Sequence, residues 1–337
     1  LNYRHAYHAG NFADCMKHAL LVWMLRALAR KPAGFIVLDT HAGIGRYDLG
    51  GTESARTGEW RGGIGRLFSA RDAGLSMPEG IGDYLSLIDR LGPYPGSPAL
   101  IQALLRPQDR LVCCELRPED HAGLRALMRG EPQVSTHLRD GYEAMRAFLP
   151  PRERRALVLI DPPYEAPEEF ALLMEALRQG YGRFPSGVFA AWYPIKHRAP
   201  VRAFHAAVAA SGIRDVVAAE LLLREPTDPE RLNGCGLLVV NPPWRFMEEA
   251  EPMLTGLAAI FAGDEGAARL VRITEEWWRQ AGMPWIPAHC SSRMVLASTM
   301  RPSPIMPAAS SRGISTTSIS SPSAARPPPP PIRSPVP

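Results

Sequence analysis

The stretch Phe35-Ile36-Val37-Leu38-Asp39-Thr40-His41-Ala42-Gly43-Ile44-Gly45 decides the fold. Four apolar residues without a polar position between them read as a strand buried on both faces, as in a parallel sheet covered by helices. The run then breaks into a turn with two glycines, a shape that lets a nucleotide approach the backbone where a strand hands over to its crossover. Similar runs recur at Leu111 to Cys114, Ala156 to Ile160, Val188 to Trp192, Asp215 to Leu223 and Gly236 to Val240, with a weaker candidate at Val134 to Leu138. Helical stretches separate most of them, over Pro118 to Met128, Tyr142 to Phe148, Pro167 to Gln179 and Val201 to Ala210. Upstream, Leu20, Leu21, Met24, Leu25 and Leu28 form the stripe of a helix over Asp14 to Ala29, stopped by Lys31-Pro32-Ala33-Gly34. Strands alternating with helices predict an α/β protein with a doubly wound sheet.

Between the first strand and Leu111 the chain is far longer than the dozen or so residues a crossover needs. The excess, roughly Arg46 to Ser97, predicts a small helical insertion subdomain. Its helices are expected over Gly58 to Phe68 and Ile81 to Leu91, closed by Gly92-Pro93-Tyr94-Pro95-Gly96-Ser97-Pro98. From Trp277 onward Ser, Pro, Ala and Arg dominate, so residues 277–337 are expected to be a disordered tail behind a domain of residues 1–276.

The chain has 337 residues, 46% apolar and 21% charged, enough for a sizeable core. Its formal charge of +4 comes from the tail, which holds six arginines and no acidic residue; the rest is near −2. Net charge therefore does not argue for a nucleic-acid partner, and any such reading rests on site chemistry. Five cysteines without a Cys-x-x-Cys pair fit neither a disulfide framework nor a zinc site. Leu1 to Lys17 lacks the apolar core of a secretory signal, and Ala19 to Ala29, broken by Arg26, is too short to span a bilayer. A cytoplasmic protein with no membrane partner is expected, with a monomer as the default.

Several residues carry chemistry. A hydride-transfer site would want Gly-x-Gly-x-x-Gly, but Asp48 stands at the third glycine position after Gly43 and Gly45. Glu115, ending the second strand, is placed to accept hydrogen bonds from the ribose hydroxyls of an adenosyl cofactor, or is simply a solvated acid. Asp140-Gly141 is placed to hold an adenine ring, or is simply a turn. The strongest signal is Asp161-Pro162-Pro163-Tyr164 directly after a strand. An adenine amino group is a poor nucleophile because its lone pair is delocalised. The Asp161 carboxylate and the Pro162 carbonyl can each accept one of its N–H bonds, the prolines remove two competing donors, and Tyr164 can stack on an extruded base. Asp161 is also the natural proton acceptor. No nucleophilic cysteine sits beside the loop, so direct in-line transfer without a covalent enzyme intermediate is expected.

A rival copy, Asn241-Pro242-Pro243-Trp244, follows the last apolar run; if that strand runs antiparallel, its end faces away from the cofactor. His5, His8 and His18 complete no convincing metal-ligand set, and no metal is expected. Arg4, Lys17, the cluster Arg152, Arg154, Arg155, and Lys196-His197-Arg198 are candidate phosphate contacts or a solvated face.

Tyr3-Arg4-His5-Ala6-Tyr7-His8-Ala9-Gly10-Asn11 with Ala13-Asp14 and Lys17-His18, then Leu38 to Gly43, Tyr94 to Pro98 and Ile160 to Tyr164, closely resemble one family. It is the 23S ribosomal RNA adenine-N6 methyltransferase family that modifies adenine 2030. The resemblance runs to about Glu276 and implies a Rossmann-like methyltransferase fold with a helical insertion. It implies S-adenosylmethionine as cofactor and 23S ribosomal RNA as substrate. It carries cofactor contact onto His18, His41, Ser97, Glu115, Asp140, Gly141 and Asp161, makes Asp161 the catalytic base and sets Tyr3 toward the RNA; on the reading of the residues themselves, Pro162 and Tyr164 stand beside Asp161, and Arg4, Lys17 and Tyr164 join Tyr3 as candidate RNA contacts. Arg56, Arg61 and Arg66 suggest that the insertion is a lid or an RNA-contacting element. A DNA adenine-N6 methyltransferase, a protein-amide methyltransferase and a catalytically silent RNA-binding protein are the competing functions.

Overall fold

A computed structural model describes residues 7–275. Tyr3, Arg4, His5 and the expected tail lie outside the described residues. In chain order the elements are α1 (Phe12–Ala29), β1 (Ile36–Asp39), β2 (Arg46–Tyr47), α2 (Thr52–Thr57), α3 (Ile64–Asp72), α4 (Glu79–Leu91), β3 (Tyr94–Pro95) and α5 (Ser97–Gln102). Next come β4 (Arg110–Glu115), α6 (Pro118–Leu127), β5 (Val134–Leu138), α7 (Gly141–Phe148), β6 (Ala156–Ile160), α8 (Glu169–Arg183) and β7 (Val188–Ile195). The chain continues through α9 (Arg198–Ala210), β8 (Val216–Leu222), β9 (Gly234–Val240), α10 (Phe246–Ala262) and β10 (Ala267–Thr274).

Eight strands form one sheet in the order β10-β8-β9-β7-β6-β1-β4-β5. β5, β4, β1, β6 and β7 run parallel, and β9 runs antiparallel to both β7 and β8. The fold is Rossmann-like, with the strand order reversing between β1 and β6. Crossovers on the two sides of that point leave by opposite faces, which opens a crevice at the carboxyl ends of the central strands.

Every residue of β1, β6, β8 and β9 is buried, as uninterrupted apolar runs require. Alternation along each strand divides the core. Val37, Leu111, Leu157 and Leu159 pack with α1, α4 and α10 on one face, while Ile36, Leu38, Val158 and Ile160 pack with α7, α8 and α9 on the other. Helix α1 has no single apolar stripe, because residues 12–25 are buried all round.

Three differences from the sequence expectation have physical causes. The helix expected over Gly58 to Phe68 is broken: Gly58 ends α2 in the left-handed region at φ 63°, a short 3-10 turn spans Glu59–Gly62, and α3 starts after Gly63. The turn-rich closing segment carries β3, paired with β2, and then α5, which Pro98 enters at its first turn where proline is tolerated. Gly236 to Val240 is not the last strand, since β10 follows and pairs with β8 at the sheet edge. β10 is only half buried, so its pattern is weak.

Candidate active site

The carboxyl ends of β1, β4 and β6, with the turn from β5 into α7, open on one cleft of about 1200 Å³. Lys17, His18, His41, Ser97, Glu115, Asp140, Gly141, Asp161, Pro162 and Tyr164 all line it.

Glu115 closes β4 and takes the Gly43 N–H on Oε2 at 2.9 Å and the Arg117 N–H on Oε1 at 2.8 Å. Burial nevertheless pushes its carboxyl above the usual range. Gly43 sits at φ 60°, where a Cβ would lie 2.4 Å from the Tyr47 hydroxyl, so only glycine fits the turn. Leu116, 48% exposed, adds an apolar surface to this wall.

Asp140 is the N-cap of α7: its Oδ1 accepts from the N–H groups of Tyr142 at 2.8 Å and Glu143 at 3.0 Å. A Cβ on Gly141 would fall 2.1 Å from the Thr40 carbonyl oxygen, so the start of α7 abuts the β1 turn. Burial pushes the His41 imidazole down to about 4, which keeps it neutral. Thr40 donates its hydroxyl proton to the Leu159 carbonyl at 2.9 Å, and therefore accepts from His41 Nδ1–H at 2.8 Å. His41 Nε2 is left as the ring's acceptor.

Deeper in, the Ser97 hydroxyl donates to Asp39 Oδ2 at 2.7 Å. Asp39 is fully buried, and among the described residues its Oδ1 has no hydrogen-bond partner. Burial, partly offset by Ser97, pushes this carboxyl up to about 7. His18 is buried against Tyr84 and Tyr94, with Nδ1 3.2 Å from the Tyr94 hydroxyl.

At the other end of the cleft, Asp161 follows β6. The Lys17 ammonium bonds to Asp161 Oδ2 and, at 2.9 Å, to Asp14 Oδ1. Lys17 is 4% exposed. Burial opposes its charge, but the two carboxylates hold it protonated well above the usual lysine range. Lys17, expected among the RNA contacts, is thus held inside an ion triad in this structure. Asp161 is 16% exposed, and its Oδ1 accepts no hydrogen bond among the described residues. Pro162 is buried, and Tyr164 occupies the left-handed region at φ 51°, an uncommon place for a bulky residue. Its hydroxyl donates to the Trp192 carbonyl at 3.1 Å, and its ring packs edge-on against Phe170 and Trp192.

Other candidates fall elsewhere. Asn241 ends the antiparallel β9 beside the start of β7, where its amide donates to the carbonyls of Pro185 at 2.8 Å and Gly187 at 2.7 Å. Arg155 binds the Leu28 carbonyl at the amino end of the parallel strands, away from the cleft. Arg198 pairs with Glu225 and His197 caps α9, while Lys196 lines the cleft. Arg66 binds the Phe261 carbonyl and so ties the insertion to α10. Among the described residues no group of three or more His, Cys, Asp or Glu is arranged to hold a metal ion, and no helix is long and apolar enough to cross a membrane.

Asp14, Trp192 and Glu59, which also line the cleft, have no role in the reading of the sequence. One signal was available: Asp14 and Lys17 are a charge pair three residues apart on an otherwise largely apolar helix. Such a pair is costly to bury unless it serves a third group.

The family model described as "Ribosomal RNA large subunit methyltransferase D, RlmJ" matches residues 32–274. A Haemophilus influenzae protein named ribosomal RNA large subunit methyltransferase J is 41% identical over 265 residues, covering 76% of this chain and 93% of that protein. The Escherichia coli protein of the same name is 36% identical over 263 residues, covering 76% and 92%. A crystal structure of a Legionella pneumophila protein superposes with a TM-score of 0.72 at 34% identity, covering 79% of this chain and 98% of the other.

Proposed function

The chain belongs to this family of ribosomal RNA large subunit methyltransferases, and from that premise we propose that it methylates the exocyclic N6 of an unpaired adenine in 23S ribosomal RNA, by resemblance adenine 2030. S-adenosylmethionine is the cofactor in this reading, and when bound it supplies an electrophilic methyl group.

The cleft fits that cofactor. Glu115, with a carboxyl raised by burial, stands where hydroxyl donors would be welcome. The buried Asp39 has an oxygen without a hydrogen-bond partner among the described residues, and a nearby cation would favour its charged form. Glu115 would hold the ribose, Asp140 and Gly141 the adenine edge, with Leu116 as apolar cover. His18, His41, Ser97 and Asp161 would complete the contacts.

The observation that carries the reaction is the setting of Asp161: one carboxylate oxygen fixed by a buried lysine, the other open to the cleft, next to two residues without an N–H. Asp161 Oδ1 and the Pro162 carbonyl would accept the two N–H bonds of an adenine amino group and turn its lone pair outward. Lys17 fixes the orientation of the Asp161 carboxylate, so that Oδ1 faces the amine and takes the proton as the nitrogen becomes cationic. Tyr164 and Trp192 offer an aromatic wall for an extruded base. Cys15, Cys113, Cys114 and Cys235 are all buried, and burial raises their thiols, that of Cys114 to about 12. None of these four thiols, the cysteines among the described residues, is poised as a nucleophile, which supports a direct transfer without a covalent enzyme intermediate.

The test is incubation with methyl-labelled S-adenosylmethionine and, separately, protein-free 23S RNA and double-stranded DNA, followed by nucleoside analysis. Labelled N6-methyladenosine from RNA alone is the expected result. Label only in DNA would move the substrate, and no label in either would favour a protein-amide methyltransferase or a silent RNA-binding protein.

A further inference from the structure

The insertion does not hang over the cleft as a free flap. It grips the five residues that lead into α1. The Thr57 hydroxyl donates to the Tyr7 carbonyl, and the Ile64 N–H donates to the Gly10 carbonyl at 2.9 Å. Gly63 lies so close that a Cβ there would be 2.1 Å from the Gly10 oxygen and 2.7 Å from Asn11 Cα. Glu59 supplies the polar centre of the grip. Its Oε1 accepts from His8 Nδ1 at 2.9 Å and its Oε2 from Asn11 Nδ2 at 3.0 Å.

Asn11 then passes the constraint on. Its Oδ1 caps α1 by accepting from the N–H groups of Ala13 and Asp14, each at 3.0 Å. Asp14 takes the Gly10 N–H on Oδ2 at 3.0 Å and Lys17 on Oδ1, and Lys17 holds Asp161. Polar contacts therefore run without a gap from the insertion, through the first turn of α1, to the reactive loop. His8, Asn11, Asp14, Lys17, Glu59 and Asp161 all face the one cleft.

We propose that Glu59 is a positioning residue: through it the insertion clamps the entry to α1, so that Lys17 presents Asp161 in a single orientation. This rests on the assignment of Asp161 as the group that holds the amine. An acceptor pair at Glu59 is needed because Asn11 must spend its carbonyl on the helix cap, which leaves its amide donor to be fixed from outside the helix. Without that acceptor Asn11 can rotate, the cap loosens, and the first turn carrying Asp14 and Lys17 gains freedom. A small error in the placement of a reacting group is enough to slow a reaction by one or more powers of ten.

The test compares the full chain with Glu59→Ala, Glu59→Gln and Asp161→Ala. It measures kcat and KM for RNA, cofactor affinity by calorimetry, and amide hydrogen exchange over residues 12–17. Glu59→Ala is expected to lower kcat about tenfold with cofactor affinity nearly unchanged, and to speed exchange over that turn while the sheet keeps its protection. Glu59→Gln, which keeps one acceptor in the same place, is expected to recover part of both losses. A folded Glu59→Ala with the parent kcat overturns the proposal. If Glu59→Ala does not fold, Glu59→Gln decides: parent kcat and parent exchange overturn the clamp, and a reduced kcat with faster exchange supports it. Asp161→Ala separates the layers, because parent activity there would sink the assignment of Asp161 itself.

Discussion

Asp161-Pro162-Pro163-Tyr164 and Asn241-Pro242-Pro243-Trp244 follow one pattern, yet they stand at opposite ends of the same sheet. Asp161 ends a parallel strand and opens on the cleft; Asn241 ends the antiparallel β9 and spends its amide on two carbonyls at the amino end of β7. Tyr164 is pinned between Phe170 and Trp192, whereas Trp244 is 67% exposed with only the Arg245 guanidinium 5.5 Å from its ring centre. Both loops even share a left-handed residue, Tyr164 in one and Asn241 in the other. A tetrapeptide therefore does not carry its chemistry with it. Strand polarity decides which copy meets the cleft, and the neighbours decide which polar atoms stay unspent.

The sharpest way to break the comparison is to remove the acid and the amide separately. Asp161→Ala is expected to cost on the order of 10²- to 10⁴-fold in kcat, the range for a lost general base, with cofactor affinity changed far less. Asn241→Ala should leave kcat alone and lower stability by about 1–2 kcal/mol, for two lost hydrogen bonds and an alanine forced to positive φ. Single-turnover methylation and thermal melts check both. Equal losses of activity from the two variants would mean that polarity does not separate the loops.

Two buried aspartates repeat the contrast electrostatically. Asp109, at the amino end of β4, is satisfied by the Arg106 guanidinium and by the N–H groups of Phe35 and Arg106; burial pushes against its charge, but these bonds hold its carboxyl below the usual range. Asp39, at the carboxyl end of β1, has no partner for Oδ1 among the described residues, and burial pushes its carboxyl up to about 7. The signs are opposite. Asp109 contributes stability above its unfolded value, and that contribution is lost as pH falls through its lower folded value. Asp39 holds an extra proton in the folded state between about 4 and about 7, so its contribution to stability declines as pH rises across that window, by a few kcal/mol at most. Asp39→Asn should flatten the decline on the neutral side, and Asp109→Asn should flatten the acid limb and destabilise the protein at pH 7. Chemical denaturation at stepped pH measures both. A cationic ligand should reverse the Asp39 penalty, so cofactor affinity is expected to rise through pH 7 in the parent and not in Asp39→Asn.

Much of the sheet was legible because strands buried on both faces leave unbroken apolar runs, as in Ala156 to Ile160. The strands that blurred are edges: β5 and β10 are half exposed, and their patterns are diluted by polar residues. The 3-10 turn over Glu59–Gly62 and the start of α3 were merged into one expected helix, and α2 was not expected at all, because the break depends on Gly63 packing against Gly10, a contact between distant parts of the chain. The site divides in the same way. Glu115, Asp140 and Asp161 could be placed at the cleft from position alone, since Glu115 closes β4, Asp140 stands two residues past β5 and Asp161 follows β6. His18, His41 and Ser97 follow no local rule and came only through resemblance. The ion triad was out of reach because Lys17 and Asp161 are 144 residues apart, and only the fold brings the ammonium to the carboxylate.

The aromatic residues offer the finest test of the two loops. Tyr164→Phe removes the bond to the Trp192 carbonyl but keeps the ring, so a modest fall in kcat, about threefold, is expected if the hydroxyl only steadies a residue held at positive φ. Tyr164→Ala removes the ring as well and should raise KM for RNA by about tenfold, the scale of one base–aromatic stacking contact. Trp244→Ala removes an exposed ring and should change neither number, with stability shifting by no more than about 0.5 kcal/mol. If Tyr164→Phe proved as damaging as Tyr164→Ala, the hydroxyl and not the ring would be what the loop needs. The aromatic wall would then reduce to Trp192, and the two Pro-Pro loops would differ by their anchoring bonds more than by what they offer to a base.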